Sequence, residues 1–387
     1  MERIYFDYAA TAPMVPEAIR AYAETASAGP ANPSSLHSFG REARGRLTAA
    51  RDALARTLGC RADELVFTGG GTESDNAALY GAAWAQRRRD GARRRIVTTA
   101  VEHHAVLNAC RKLEAEGFEL TLLPVDEEGR ASADDARAAI GADTAVVSVM
   151  TANNETGTLQ PVAEIGRIAR EAGAVMHTDA VQALGYEPLD LRELPVDLLS
   201  VSAHKIGGPQ GVGALFIRRG TPFEPTQRGG SQERNRRAGT ENVAGIAAFA
   251  AAAELAAAAR EARRAHAEAV RAALLAALSA ELGAGAFRVN GSADRTGRLP
   301  HIASVTFPGV SNETLLMNLD LAGVAASGGS ACTAGSLQPS HVLKAMGLSD
   351  QFSRSTVRFS FGMGNDTAEA EKTAKIVATI IRRLRIN

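Results

Sequence analysis

The stretch VDLLSVSAHKIGGPQGVG, residues 196–213, runs an apolar strand into polar Ser202, His204 and Lys205 and then into a glycine-rich turn. Lys205 is its anchor. The chain carries 43 Lys plus Arg, yet lysine stands at only five positions, 112, 205, 344, 372 and 375. Arginine is the default cation, so a lysine at the end of a buried strand points to work that arginine cannot do. A neutral amine attacking a carbonyl is the obvious task. The competing explanation is a lysine snorkelling from a strand end.

Outward from that stretch, strands and helices alternate. ELVFTGGGTESDNAALYGAAWA reads as strand, three-glycine turn and helix, with Thr72, Glu73 and Asp75 in the first turn of the helix. Strand 95–99 leads into the helix VEHHAVLNACRKLEAEG, with His103 and His104 at its start. Then come strand LTLLPV, helix DDARAAI, strand AVVSVM, polar turn TANNETG, helix PVAEIGRIAREAG, strand AVMHT, the connection DAVQALG and strand DLLSVS. This alternation predicts a mainly parallel, doubly wound α/β sheet with helices on both faces. Ligands of such sheets bind at the carboxyl ends of the strands. Thr72, His103, Asn154, Asp179, Ser202, His204 and Lys205 all fall at such ends.

The flanking segments complete the domain plan. The run RRRDGARRR, 87–95, reads as a solvated loop, since no aromatic interleaves it. Residues 241–282 are alanine-rich and read as one long helix leaving a large domain. The remainder, FRVN, HIASVTF, helix ETLLMNLDLAG, the loop ASGGSACTAGS and the closing helices, reads as a smaller α+β domain joined by the first dozen residues. The expected division is a large domain, 13–260, and a small one, 1–12 with 261–387.

Composition narrows the partners. With 387 residues, 45% of them hydrophobic, the chain can bury more than one core, and its formal net charge is zero. Bulk electrostatics therefore favours neither nucleic acid nor an anionic membrane as a partner, and a small soluble ligand fits better. The opening residues MERIYFDYAATAP lack the regions of a signal peptide, and no apolar run approaches a membrane span, so a cytoplasmic protein is expected. Three cysteines, 60, 110 and 332, with no C-x-x-C, argue against a disulfide framework or a cysteine-rich zinc site.

One constellation uses the whole rim. An aldehyde cofactor held through a lysine needs a phosphate cradle, an acid against its ring nitrogen, a hydrogen bond to its phenolic oxygen and a flat group on its ring. Lys205 would form the imine and Asp179 would hold the pyridine nitrogen protonated. Gln182 would reach the phenolic oxygen and His103 would stack on the ring. Thr72, Ser202 and His204 would hold phosphate, helped by glycines at a helix start. Each residue alone has an ordinary explanation, such as Asp179 as a helix cap or Asn154 as a turn former.

The motifs DYAATAP, NPSSLHSFG, FTGGGTESDN, EHHAVL, NNETG, HTDAVQ, SAHKIGGPQGVG, RAGTENV, SGGSACTAGSLQPSHVL and STVRFSFG span nearly the whole chain. Together they resemble the cysteine desulfurases of the NifS/IscS group, pyridoxal 5'-phosphate enzymes of the class V aminotransferase superfamily with the fold type I architecture. The resemblance implies that Lys205 binds the cofactor, that Gly71, Thr72, Ser202 and His204 surround its phosphate, and that Thr240 reaches the phosphate of a neighbouring subunit in a homodimer. Asn154 and Arg358 would position the substrate carboxylate. Cys332, in a glycine-flanked loop, would attack the sulfur of L-cysteine, leaving a persulfide and releasing alanine, with His103 shuttling protons. The sulfur would pass to an acceptor protein serving iron–sulfur cluster assembly or tRNA or DNA sulfur modification. The group's iron–sulfur role carries an association with metal binding, but no metal ligand is assigned.

Departures from the family pattern are Gly328, where a serine is usual, Gln338, where glutamate is usual, and the short ending RRLRIN, which leaves the acceptor open. A class V aminotransferase or selenocysteine lyase with the same cofactor site, and a non-catalytic sulfur-relay scaffold, are the alternatives.

Overall fold

The computed structural model describes residues 3–283, 285–329 and 339–386. A short strand, β1 (Ile4–Tyr5), opens the chain. Seven strands follow as β2 (Leu65–Thr68), β3 (Arg95–Thr99), β4 (Glu119–Leu123), β5 (Thr144–Ser148), β6 (Val175–Asp179), β7 (Leu198–Ser202) and β8 (Gly213–Ile217). They form one sheet in the order β2-β8-β7-β6-β5-β3-β4. Only β8 runs against its neighbours, and every other pairing in this sheet is parallel. The expected mainly parallel α/β sheet is the one observed.

Strands β5 to β8 are buried along their whole length, as strands of a sheet covered on both faces must be. Successive side chains serve opposite cores. Phe67, Val147 and Leu199 pack on one face with Leu54, Met176 and Phe249. Their neighbours Val66, Val146 and Leu198 pack on the other with Leu79, Ile96 and Leu215.

A separate core lies toward the C-terminus. There β9 (Arg288–Asn290), β10 (Ile302–Thr306) and β12 (Thr356–Ser360) form an antiparallel sheet, while β11 (Val324–Ala325) pairs parallel with β1. Phe6 from the chain start joins Val305, Phe307, Phe359 and Phe361 in this core.

Two expectations need correction. Residues 241–282 do not form one rod: helices Val243–Ala258 and Arg260–Leu282 meet at a bend of 74°. Ala259 leaves helical geometry although neither glycine nor proline stands there. The first half packs on helices Pro16–Ser27 and Ser38–Leu58, the second on helix Thr367–Ile386, and a straight helix cannot follow both surfaces. The second correction concerns 87–95. Helix Gly71–Arg89 continues through Arg89 and β3 begins at Arg95, so only 90–94 connect them. Among the described residues, no single helix is long and apolar enough to cross a membrane.

One buried ion pair shapes the arm that carries Thr240. Glu233, Arg234 and Asn235 lie in succession at φ 45°, 58° and 62°, left-handed conformations that cost a non-glycine residue roughly 1–2 kcal/mol each. Glu233 is clamped by Arg51, which donates to its two carboxylate oxygens at 2.8 and 2.5 Å. The same carboxylate accepts the Phe67 backbone N–H at 3.0 Å. Both side chains are buried. Arg51→Ala strands the carboxylate in the interior and is expected to cost about 3–5 kcal/mol, read as a lower urea midpoint, whereas unchanged stability would show that water reaches the clamp.

Candidate active site

The carboxyl ends of the parallel strands converge on a cavity of about 190 Å³. Its wall contains Gly71, Thr72, His103, Asn154, Asp179, Gln182, Ser202, His204, Lys205 and Arg358. Ten residues singled out in the sequence are thus brought together. Thr240 is not among them; it is exposed on its arm. Cys332 lies outside the described residues, as does Gln338. Sequence reasoning did not place the remaining wall residues, Ala9, Ala10, Asp75, Met150, Ala152 and Val181.

Lys205 follows β7 in a short 3-10 turn and donates from Nζ to the carbonyls of Ala9 and Ala10 at 2.6 and 2.8 Å. The N-terminal segment is therefore part of the site. Gln182 reaches the same segment, its Nε2 donating to the Ala9 carbonyl at 2.9 Å. Asp179 closes β6 and accepts the Val181 N–H at 2.9 Å. Burial pushes its carboxyl up to about 6, opposed by that N–H and by the Lys205 charge.

At the other end of the cavity stands the glycine turn. Gly70 has φ 146° and ψ −175°, which a residue with a Cβ rarely adopts, and a Cβ on Gly71 would lie 2.8 Å from Cγ2 of Val181. Helix Gly71–Arg89 has no side-chain N-cap. Gly71 and Thr72 at its start line the cavity together with Ser202 and His204, a setting that suits an anion. Glu73 fixes the turn: it accepts the Gly69 N–H at 2.7 Å and pairs with Arg237 of the arm at 2.9 Å.

The two cavity histidines are held neutral. Burial, with help from the Lys205 charge, pulls both His103 and His204 down to about 4. His103 caps its helix, accepting the Ala105 N–H at Nδ1. His104 turns away and lies 4.5 Å, ring to ring, from His341. His177, wholly buried beneath the cavity, is pulled down to about 3 by desolvation.

The unfolded chain binds a proton at His177 that the native state refuses, so this residue makes stability fall as pH drops from about 6.5 toward 3. The cofactor-free protein is expected to lose melting temperature on acidification faster than His177→Gln. Parallel pH profiles would contradict the assignment.

Arg358, on β12, is buried. It donates to the Asn154 carbonyl at 2.7 Å and to Asp7 at 2.9 Å, while its Nε has no partner. A guanidinium with spare donors in a cavity wall suits a carboxylate. Among the described residues, no group of three or more His, Cys, Asp or Glu gathers as a metal site.

The residues present fit pyridoxal 5'-phosphate. An amine, a carboxylate and an uncapped helix start share one cavity, and the cradle is lined by backbone where a side chain would fill it. The model for aminotransferase class V matches residues 4–372. The cysteine desulfurase IscS of Dictyoglomus turgidum is 43% identical over 99% of this chain and 95% of its own. A solved NifS-like protein superposes with a TM-score of 0.90 at 34% identity, covering 98% of this chain and all of its own. A structure of SspA in complex with cysteine matches with a TM-score of 0.80 at 33% identity, over 93% of this chain and 99% of that one.

The chain belongs to the class V aminotransferase family. Within it the protein works as a cysteine desulfurase, dependent on pyridoxal 5'-phosphate.

Proposed function

We propose that this enzyme takes the sulfur of L-cysteine onto Cys332 and releases L-alanine, and that the cavity at the strand ends is where the amino acid is held. The observation that carries the reading is the placement of Lys205, Asp179 and the uncapped helix start around one cavity, with Arg358 in the same wall. When bound, the cofactor supplies an electron sink for the amino acid's Cα. Lys205 would hold it covalently and then, released, take the Cα proton at Nζ. Asp179 would face the ring nitrogen, Gln182 the phenolic oxygen, and His103 the ring face. Gly71, Thr72, Ser202 and His204 would hold the phosphate through N–H and hydroxyl groups. Asn154 and Arg358 would hold the substrate carboxylate.

His103, uncharged above about pH 4, would shuttle a proton with substrate or product. In the sulfur transfer, the Cys332 thiolate forms a bond to the substrate sulfur while the carbon–sulfur bond breaks. The electron pair stays with the carbon skeleton, which takes a proton and leaves as alanine. The other two cysteines are poor candidates: burial pushes Cys60 up to about 12 and Cys110 further still.

The wider assignments belong to the same proposal. Exposed Thr240 on a rigidly tied arm suits a homodimer in which it reaches the partner's phosphate. The break at Ala259 suits a domain boundary near 260, and a cytoplasmic setting suits a reactive thiol. The sulfur acceptor would be a protein, such as an iron–sulfur scaffold, or an enzyme of tRNA or DNA modification. Mass spectrometry after L-cysteine treatment tests the reading: one extra sulfur is expected on the peptide containing Cys332, and extra sulfur only on Cys60 or Cys110 peptides would overturn it.

A further inference from the structure

Beneath the proposed ring site lies a carboxyl group with no assigned task. Asp75 stands in the second turn of helix Gly71–Arg89, is 1% exposed, and lines the same cavity as Asp179. As an acid near a helix start it would ordinarily face solvent and the helix dipole. Here its Oδ1 has no hydrogen-bond partner. His177 Nε2, 3.7 Å away, makes no ion pair with it, because burial keeps that ring neutral.

The ring of His177 is already used on both sides. Nδ1 lies 2.8 Å from the Ser148 hydroxyl on β5, and Nε2 lies 3.0 Å from the Ser200 hydroxyl on β7. The Ser200 hydroxyl also acts on the Asp75 carboxyl, favouring its charged form. A row of polar groups thus crosses three strands and ends on Asp75, and none of its members carries charge. Asp179 by contrast has a backbone N–H and the Lys205 ammonium to support a negative charge. Two carboxylates lining one cavity repel, and the better-supported one keeps the charge. Burial first, then Asp179, push Asp75 toward its protonated form, the Ser200 hydroxyl opposes them, and Glu102 adds a smaller push the same way as burial.

We propose that Asp75 is a positioning residue that sits in the cavity as a neutral carboxylic acid, so that the pair's single negative charge stays on Asp179 for the cofactor's ring nitrogen. The inference rests on the reading that Asp179 faces that nitrogen. Asp75 acts through Asp179 and the Ser200–His177–Ser148 row. An amide in its place preserves shape and charge, whereas an amide at 179 removes the ring's counter-charge.

The test compares wild type, Asp75→Asn and Asp179→Asn by titration of the cofactor-free proteins with pyridoxal 5'-phosphate and by infrared spectra at neutral pH. D75N is expected to keep the cofactor dissociation constant within about threefold of wild type, and D179N to weaken it about a hundredfold or more. The wild-type minus D75N infrared difference should contain a protonated-carboxyl carbonyl band. Buried Glu102, pushed up to about 8, absorbs in all three proteins and cancels. If D75N weakens binding as D179N does, or removes no such band, Asp75 holds the charge and the proposal is wrong while the role of Asp179 stands. If D179N binds as wild type does, the role of Asp179 falls and the proposal with it. Asp75→Ser serves the same comparison should the asparagine variant not fold.

Discussion

Lys205→Ala is expected to lower turnover of L-cysteine by about ten-thousandfold, the upper end of what a positioned proton-transfer group supplies. The protein should also lose its yellow colour. Both effects follow from one atom. Nζ enters the cavity wall from the end of β7 and is held by the carbonyls of Ala9 and Ala10, so nothing at 205 without an amine can tether the aldehyde or take the Cα proton. Lys205→Arg should fare no better, because a guanidinium stays protonated and cannot form the attachment. A variant retaining colour and a tenth of the activity would show that the chemistry lies elsewhere.

Cys332→Ala is expected to leave the cofactor and its colour intact while sulfide or persulfide production from L-cysteine falls at least about a thousandfold, as for loss of a catalytic nucleophile. The separation of effects is the informative part. Lys205 should remove both cofactor attachment and activity, Cys332 activity alone. The two remaining thiols should not rescue the variant, since Cys110 is fully buried and Cys60 is held protonated. Undiminished sulfur release from the variant would instead favour an aminotransferase or selenocysteine lyase that shares the site but not the nucleophile.

How much was legible beforehand varies by residue, for physical reasons. Asp179, Ser202 and Lys205 were readable because fully buried parallel strands are continuous apolar runs, so the polar residue ending each run marks the carboxyl edge. The order of the sheet and the reversal of β8 left no such mark, since antiparallel and parallel buried strands have the same composition. Asp75 was invisible as a site residue because an acid near a helix start has an ordinary electrostatic role; only packing onto β6 and β7 removes it from water. The bend at Ala259 has no local signature either, as alanine is the best helix former and tertiary packing alone overrides it. Likewise the Arg51–Glu233 clamp joins residues 182 positions apart, which no spacing rule anticipates.

The central claim is that the cofactor is joined to this chain at the end of β7. Borohydride reduction of the yellow protein, digestion and mass spectrometry test it directly, because the chain offers only five lysines. A phosphopyridoxyl group on the peptide containing Lys205 is the predicted result. The same group on a peptide containing Lys112, Lys344, Lys372 or Lys375, with Lys205 unmodified, would contradict the account.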